Sequence, residues 1–181
     1  DLAWSRGLGD VYKRQVSDNT LLSFSLATLD HEFKYFPAGN CYNRQVPDGA
    51  VVNGVALCDY TGKTGRLAPE ISAFLSLKQT FPLSGGLLLA AMIDVSYEDE
   101  QNAHTNLDPK FTVDEITRVN VGLSLESENW ELALLMRNIT DEQQQGFVAN
   151  VPLSGSSFGT NTFYSVLSRP KEIFHQASYR F

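Results

Sequence analysis

Apolar and polar residues alternate with a period of two along much of this chain, the spacing of a strand whose two faces meet different surroundings. In the clearest run Trp130, Leu132, Leu134 and Met136 oppose Glu131, Ala133, Leu135 and Arg137. Leu22, Phe24, Leu26 and Thr28 oppose Ser23, Ser25 and Ala27, and Ile71, Ala73, Leu75 and Leu77 oppose Ser72, Phe74, Ser76 and Lys78. Two more runs set Leu87, Leu89, Ala91, Ile93, Val95 and Tyr97 on one face, then Val119, Val121, Leu123 and Leu125. Residues 87–92 also suit a helix by propensity, but the strict alternation of 93–98 favours a strand. With the final stretch, residues 171–181, the pattern predicts six strands and an all-β antiparallel fold.

The connections are as informative as the strands. Short polar turns near residues 17–19, 82–85 and 126–129 alternate with long stretches rich in Gly, Asn, Asp and Pro. The first long stretch is expected to carry a short hairpin around Pro47, Asp48 and Gly49. Alternating short and long connections gather all short turns at one end of a sheet, the asymmetry of outer-membrane barrels. In that frame Phe81, Trp130, Tyr179 and Phe181 fall at the short-turn end, expected at one level as an aromatic girdle at the headgroup boundary. A soluble sandwich also has one apolar face per strand and stays open on pattern alone.

Composition narrows the classes. A formal charge of -7 supplies no basic surface for a phosphate backbone, which argues against nucleic acid as a partner. No apolar run is long enough for a membrane-spanning helix, a limit that leaves spanning strands of about 9–11 residues untouched. Asp1, Asp10, Lys13 and Arg14 break any signal-peptide core at the start. The stretch SRGLGDVYKRQ, Ser5 to Gln15, looks like translated adaptor sequence. The domain reading is therefore a non-native segment over 1–15 followed by one wall over 16–181. No nucleophile motif, phosphate cradle or carboxylate pair gives an enzyme reading an anchor, and no cofactor is expected.

The segment WELALLMRNITDE resembles the W-E-(V/L)-x-L-x-x-(K/R)-N-(L/I)-T-D-E stretch near the C-terminus of TonB-dependent receptors, through Asn138, Ile139, Thr140, Asp141 and Glu142. GKTGRLAPEISAFLSLKQTFPLSGG is similar to the same family's strand entry, with a shortened spacing before Ala68 and Pro69, and RVNVGLSLESENWEL completes the penultimate hairpin. The ending SYRF, with Tyr179 and Phe181 on the lipid face, resembles the family's terminal aromatic signal for the barrel assembly machinery. The resemblance covers residues 18–181.

That resemblance implies a transmembrane β-barrel fragment in the Gram-negative outer membrane: about six strands of a barrel of roughly 22, with short periplasmic turns and long extracellular loops. It implies an active transporter for a ferric siderophore or similar scarce solute. Its partners would be outer-membrane lipid and lipopolysaccharide, a missing plug domain with the remaining strands, and the TonB complex through a missing N-terminal region that holds the TonB box. The fragment alone is expected to be inactive. The alternatives are a soluble or secreted antiparallel β domain that binds glycans or protein partners, and a smaller esterase or autotransporter barrel.

Within this frame Cys41 and Cys58 share an extracellular loop, where an oxidising compartment favours a disulfide that contributes roughly 3 kcal/mol through loop entropy. Two free thiols are the alternative. His31, His104 and His175 are too scattered for a zinc site. Glu98, Asp99, Glu100, Asp108, Asp114 and Glu115 crowd the second loop around Lys110, which reads as a solvated acidic loop against lipopolysaccharide, without the spacing of a calcium loop. Arg118, Asn120, Ser124, Glu131, Arg137, Gln176, Ser178 and Arg180 are expected to form a polar inner wall. Asn138 formally fits a glycosylation acceptor, but the strand-to-loop transition explains it better.

Overall fold

A computed structural model describes residues 2–151 and 162–181. The strands run β1 (Leu2–Ser17), β2 (Thr20–Tyr35), β3 (Val51–Val52), β4 (Val55–Ala56), β5 (Ile71–Pro82), β6 (Leu88–Glu98), β7 (Gln101–Asn102), β8 (Thr112–Val113), β9 (Ile116–Glu126), β10 (Trp130–Arg137), β11 (Gln145–Asn150), β12 (Phe163–Leu167) and β13 (Glu172–Tyr179). Seven of them form one antiparallel sheet in the order β1-β2-β5-β6-β9-β10-β13. The sheet is open, with β1 and β13 at its edges. The pairs β3-β4, β7-β8 and β11-β12 are small hairpins inside the three long connections.

The alternation in sequence becomes a register in space. Leu77 lies opposite Leu22 and Ile93, and Leu75 opposite Phe24 and Val95. Leu123 lies between Ala91 and Leu134, and Leu125 between Leu89 and Leu132. One largely apolar face therefore runs from β2 to β13, interrupted on β13 by His175 opposite Leu134, and none of the described residues covers it: Leu132 is 51 % exposed and Ile173 53 %. The buried residues sit instead in or beside the long connections, among them Cys58, Tyr60, Ala103, Val113 and Val148.

All three short turns lie at one end of the sheet and residues 36–70, 99–115, 138–151 and 162–171 at the other. The turn between β5 and β6 depends on Gly85 and Gly86, whose φ of 76° and 73° suit glycine. The third long connection, read in sequence as one continuous loop, includes residues 152–161, which lie outside the described residues.

Two features differ from the sequence expectation. Residues 2–15 of the segment set aside lie within β1, paired with β2 from Leu2 opposite Tyr35 to Ser17 opposite Thr20, so a seventh strand joins the six expected from the rest of the chain. Backbone pairing tolerates almost any side chain, whereas the face pattern does not: Asp10 and Arg14 stand opposite Leu26 and Leu22, on the apolar side. In the first connection the hairpin turns at Asn53 and Gly54, φ 51° and 79°, between β3 and β4, and not at Pro47-Asp48-Gly49. Asn-Gly is the favoured pair for a two-residue turn with both residues left-handed, and Val51-Val52-Asn53-Gly54-Val55 carried that signal. Gly49 serves close approach instead, since a Cβ there would stand 2.2 Å from the Pro37 carbonyl oxygen and 2.7 Å from the Cys58 carbonyl carbon.

Candidate functional site

The loop end of the sheet holds most of the side-chain interactions that are not strand pairing. Its hub is Asn138, 4 % exposed, where β10 stops. Its backbone N–H donates to Asn120 Oδ1 at 2.9 Å, and the next amide, Ile139, donates to the Val119 carbonyl. Asn138 then takes a left-handed φ of 48°, which asparagine tolerates better than most residues. Its side-chain amide donates to the carbonyls of Glu142 at 2.8 Å and Arg169 at 3.1 Å. Its Oδ1 accepts from the Thr140 hydroxyl and the Glu142 amide. Asp141 adds a second tie, its carboxylate accepting from the Lys171 amide at 2.8 Å. Asn138 through Glu142 thus form a clasp that ends β10, launches the third connection and holds its return beside β13.

The first connection is organised by Cys41 and Cys58, which are disulfide-bonded with Cα atoms 5.1 Å apart. Cys58 is fully buried and pairs through its backbone with Gly39. A Cβ on Gly39 would stand 2.6 Å from the Tyr60 ring, so a bare backbone is what lets that ring close over the strand. Tyr60 packs edge-on to Phe36 at 5.4 Å and near Phe33, and its hydroxyl donates to the Asn40 carbonyl. The returning chain lies along the upper part of β2, where Phe33 donates to the Lys63 carbonyl and Gly62 to the Phe33 carbonyl. Desolvation pushes the Tyr60 phenol up to about 12 from 10.0. A raised folded value means the stabilisation is complete below pH 10 and is lost as pH rises through about 12. In a phenolate absorbance titration, the step that disappears in the Tyr60→Phe variant should lie near pH 12. A Tyr60 step near pH 10 would contradict this packing.

The second and third connections share a core. His104, 3 % exposed, lies 5.3 Å from the Phe111 ring and 6.0 Å from the Phe163 ring, over Ala103, Val113 and Val148. His104 Nδ1 accepts from the Asn106 amide, and the Asn106 side chain accepts from the Asp108 amide. Asp108, itself 3 % exposed, accepts from the Lys110 amide and caps a short turn there, so this carboxylate is not a solvated loop charge. Gln144 joins the two connections: its side chain donates to the Asp114 carbonyl and accepts from Arg118. Asn102 links back to the first connection by accepting the Leu67 amide on its carbonyl. Sequence reading did not identify His104, Phe111, Phe163 or Gln144 as a group, because they converge from distant positions.

A polar cleft of about 410 Å³ lies between these connections, lined by Lys110, Asp114, Glu115, Glu142 and Gln144. Among the described residues no three His, Cys, Asp or Glu side chains converge as a metal site would require. At the other end of the sheet Trp130 faces Tyr179 across the β10–β13 pair, and the Tyr179 and Phe181 rings stand 5.2 Å apart. Phe81 shares their face one rung inward, on the row of Leu89, Leu125 and Leu132, and so does not share a rung with Trp130. Ser124 pairs between Ala90 and Ala133, Gln176 opposite Ala133, and Glu131 between Glu126 and Ser178, all on the opposite, more polar face.

Over 98 % of its length the chain superposes on the crystal structure of the siderophore receptor PiuA from Acinetobacter baumannii, with a TM-score of 0.66 and 14 % identity. The folds are alike. This chain spans 22 % of the length of that receptor. No protein-family model and no curated protein matches the sequence. At this identity the likeness concerns the path of the backbone.

Proposed function

We propose that these residues form part of the wall of an outer-membrane TonB-dependent transporter for a siderophore or a solute of similar scarcity. The observation that carries the reading is the uncovered apolar face running across six strands, with every short turn at one end and every long connection at the other. Such a face needs an apolar surrounding of its own, and a bilayer provides one for strands closed into a barrel. The superposition on a siderophore receptor supports both the wall and the substrate class.

In this reading the apolar face meets lipid, and Trp130, Tyr179 and Phe181 lie at the periplasmic boundary, where Tyr179 and Phe181 also present the assembly signal. The loop end meets lipopolysaccharide and the extracellular solute. The polar face lines a lumen closed by a plug domain and the remaining strands, and the TonB complex acts through a region N-terminal to that plug. The protein binds and passes a solute without covalent chemistry, and the 181 residues by themselves transport nothing. Residues 1–15 are foreign to the wall, a view supported by Asp10 and Arg14 on the apolar side.

The test is made on the gene product encoded by the uninterrupted locus, read through the region upstream of residue 16. Extraction only by detergent, together with faster gel mobility before heating than after, is the outcome expected of a closed barrel. A protein that is soluble and monomeric without detergent would sink the transporter and leave the soluble β domain.

A further inference from the structure

In the second connection alternate residues hold the chain by one repeated device, in which a side chain accepts the backbone amide two residues on. Asn102 Oδ1 accepts from the His104 amide at 2.9 Å, His104 Nδ1 from Asn106 at 3.1 Å, Asn106 Oδ1 from Asp108 at 3.3 Å, and Asp108 Oδ1 from Lys110 at 3.1 Å. The Asn102 side-chain amide closes the series on the Asp108 carbonyl at 2.8 Å. Three of the four acceptors are carboxamide or carboxylate oxygens, which go on accepting between about pH 5 and 8. His104 is the exception, because one proton on Nδ1 turns that acceptor into a donor.

The ring sits away from water. His104 is 3 % exposed, with the Phe111 and Phe163 rings 5.3 and 6.0 Å away and Ala103, Val113 and Val148 beside them. An imidazolium there would set its new N–H against the Asn106 N–H and would carry a charge out of water. No carboxylate oxygen stands within 4.0 Å of a His104 ring nitrogen among the described residues. Of the elements around the ring, β7, β8 and β11 carry no ionisable side chain, β12 carries Tyr164, and the turn at Pro109–Phe111 carries Lys110. Asp108 caps that turn with its carboxylate on the Lys110 amide, and Asp99, Glu100, Asp114 and Glu115 flank β7 and β8.

We propose that His104 is an acid-released latch at the loop end: neutral, it joins the second connection to the third, and a proton from solvent on Nδ1 frees residues 104–111 from Val148 and Phe163. Acid favours the freed state because only there can Nδ1 hold a proton while the charge meets water. The polar cleft lined by Lys110, Asp114, Glu142 and Gln144 lies between the same two connections, so acid also moves its walls. Every group in the latch belongs to the long connections, and it acts in the same way whether or not the wall sits in a membrane.

The experiment follows amide hydrogen exchange in the intact gene product between about pH 7.5 and 5.5, each rate being compared with its intrinsic value at the same pH. An imidazole in water takes its proton at about pH 6.5, so protection of the Asn106 and Asp108 amides should fall on the order of tenfold over that span. Amides paired between β5 and β6 should keep theirs. His31 accepts the Gly65 amide in the first connection and is a second acid-sensitive group, which His104→Asn separates from the latch. Asparagine keeps an oxygen for Asn106 but takes no proton, so the acid-dependent fall at Asn106 should vanish. A flat profile in the parent overturns the proposal, and so does a fall at Asn106 that persists in His104→Asn. The parent gives a second reading free of any substitution: the ring nitrogen-15 shifts of His104 should report Nε2–H at neutral pH and the imidazolium in step with the loss of protection. An imidazolium beside a still protected Asn106 amide also overturns the proposal.

Discussion

Asn138→Ala should loosen the loop end of the wall more than any other single truncation there, by roughly 4 kcal/mol. The side chain makes four hydrogen bonds, and its removal strands the Arg169 and Glu142 carbonyls and the Glu142 amide. Each buried group left unmatched costs about 1–3 kcal/mol, less where water reaches it, as it does at exposed Glu142. Alanine must also hold the φ of 48°, at about 1–2 kcal/mol. Asn138→Gly separates the two contributions, since glycine accepts that φ freely and loses only the bonds. Hydrogen exchange at Asp141, Glu142 and Lys171 is the direct readout, with the melting temperature beside it. Alanine should be worse than glycine, and both worse than the parent. If glycine and alanine were equally harmful, the left-handed turn would have no part in the clasp. If neither changed exchange, the clasp itself would be wrong.

The same residues show what a sequence can and cannot reveal. The five alternating runs were legible because a strand's side chains point to opposite faces in strict turn, so Leu75, Val95 and Val119 could be assigned to one side before any pairing was known. The end that carries long connections followed from their lengths. The Asn138 stretch was recognisable as a pattern, yet its role was not, because Arg169 and Lys171, which it holds, lie far along the chain. The aromatic cluster of His104, Phe111 and Phe163 was hidden for the same reason: no periodicity relates residues on different connections. The hairpin at Asn53 and Gly54 is a different kind of miss, since its turn pair was present and Pro47-Asp48-Gly49 drew attention instead. Ser5 to Gln15 stood apart because the stretch looks like translated adaptor sequence, a criterion of origin that backbone pairing does not sense.

The double variant Cys41→Ser, Cys58→Ser should lose about 3 kcal/mol of local stability, the loop-entropy contribution expected for a bridge with sequence separation 17. The loss should stay in the first connection. What fastens that segment besides the bridge is the Gly39–Cys58 pairing, the Tyr60 ring over Gly39 and the two backbone bonds to Phe33. These contacts form cooperatively around buried Cys58, so without the bridge the loop should open by itself more often than the sheet does. Limited proteolysis should therefore cut between residues 42 and 57 in the variant, or in the reduced parent, and spare the oxidised parent. The pairing of β2 with β5 from Thr20 to Thr28 does not pass through this loop, and its amides should keep their protection. The phenol of Tyr60 gives an independent check, because opening the loop restores its solvent and should bring its titration down from about 12 toward 10.0. Loss of protection along β2 and β5 as well would show that the bridge holds the wall and not only the loop. An uncut loop with a late-titrating Tyr60 would show that ring packing alone closes it.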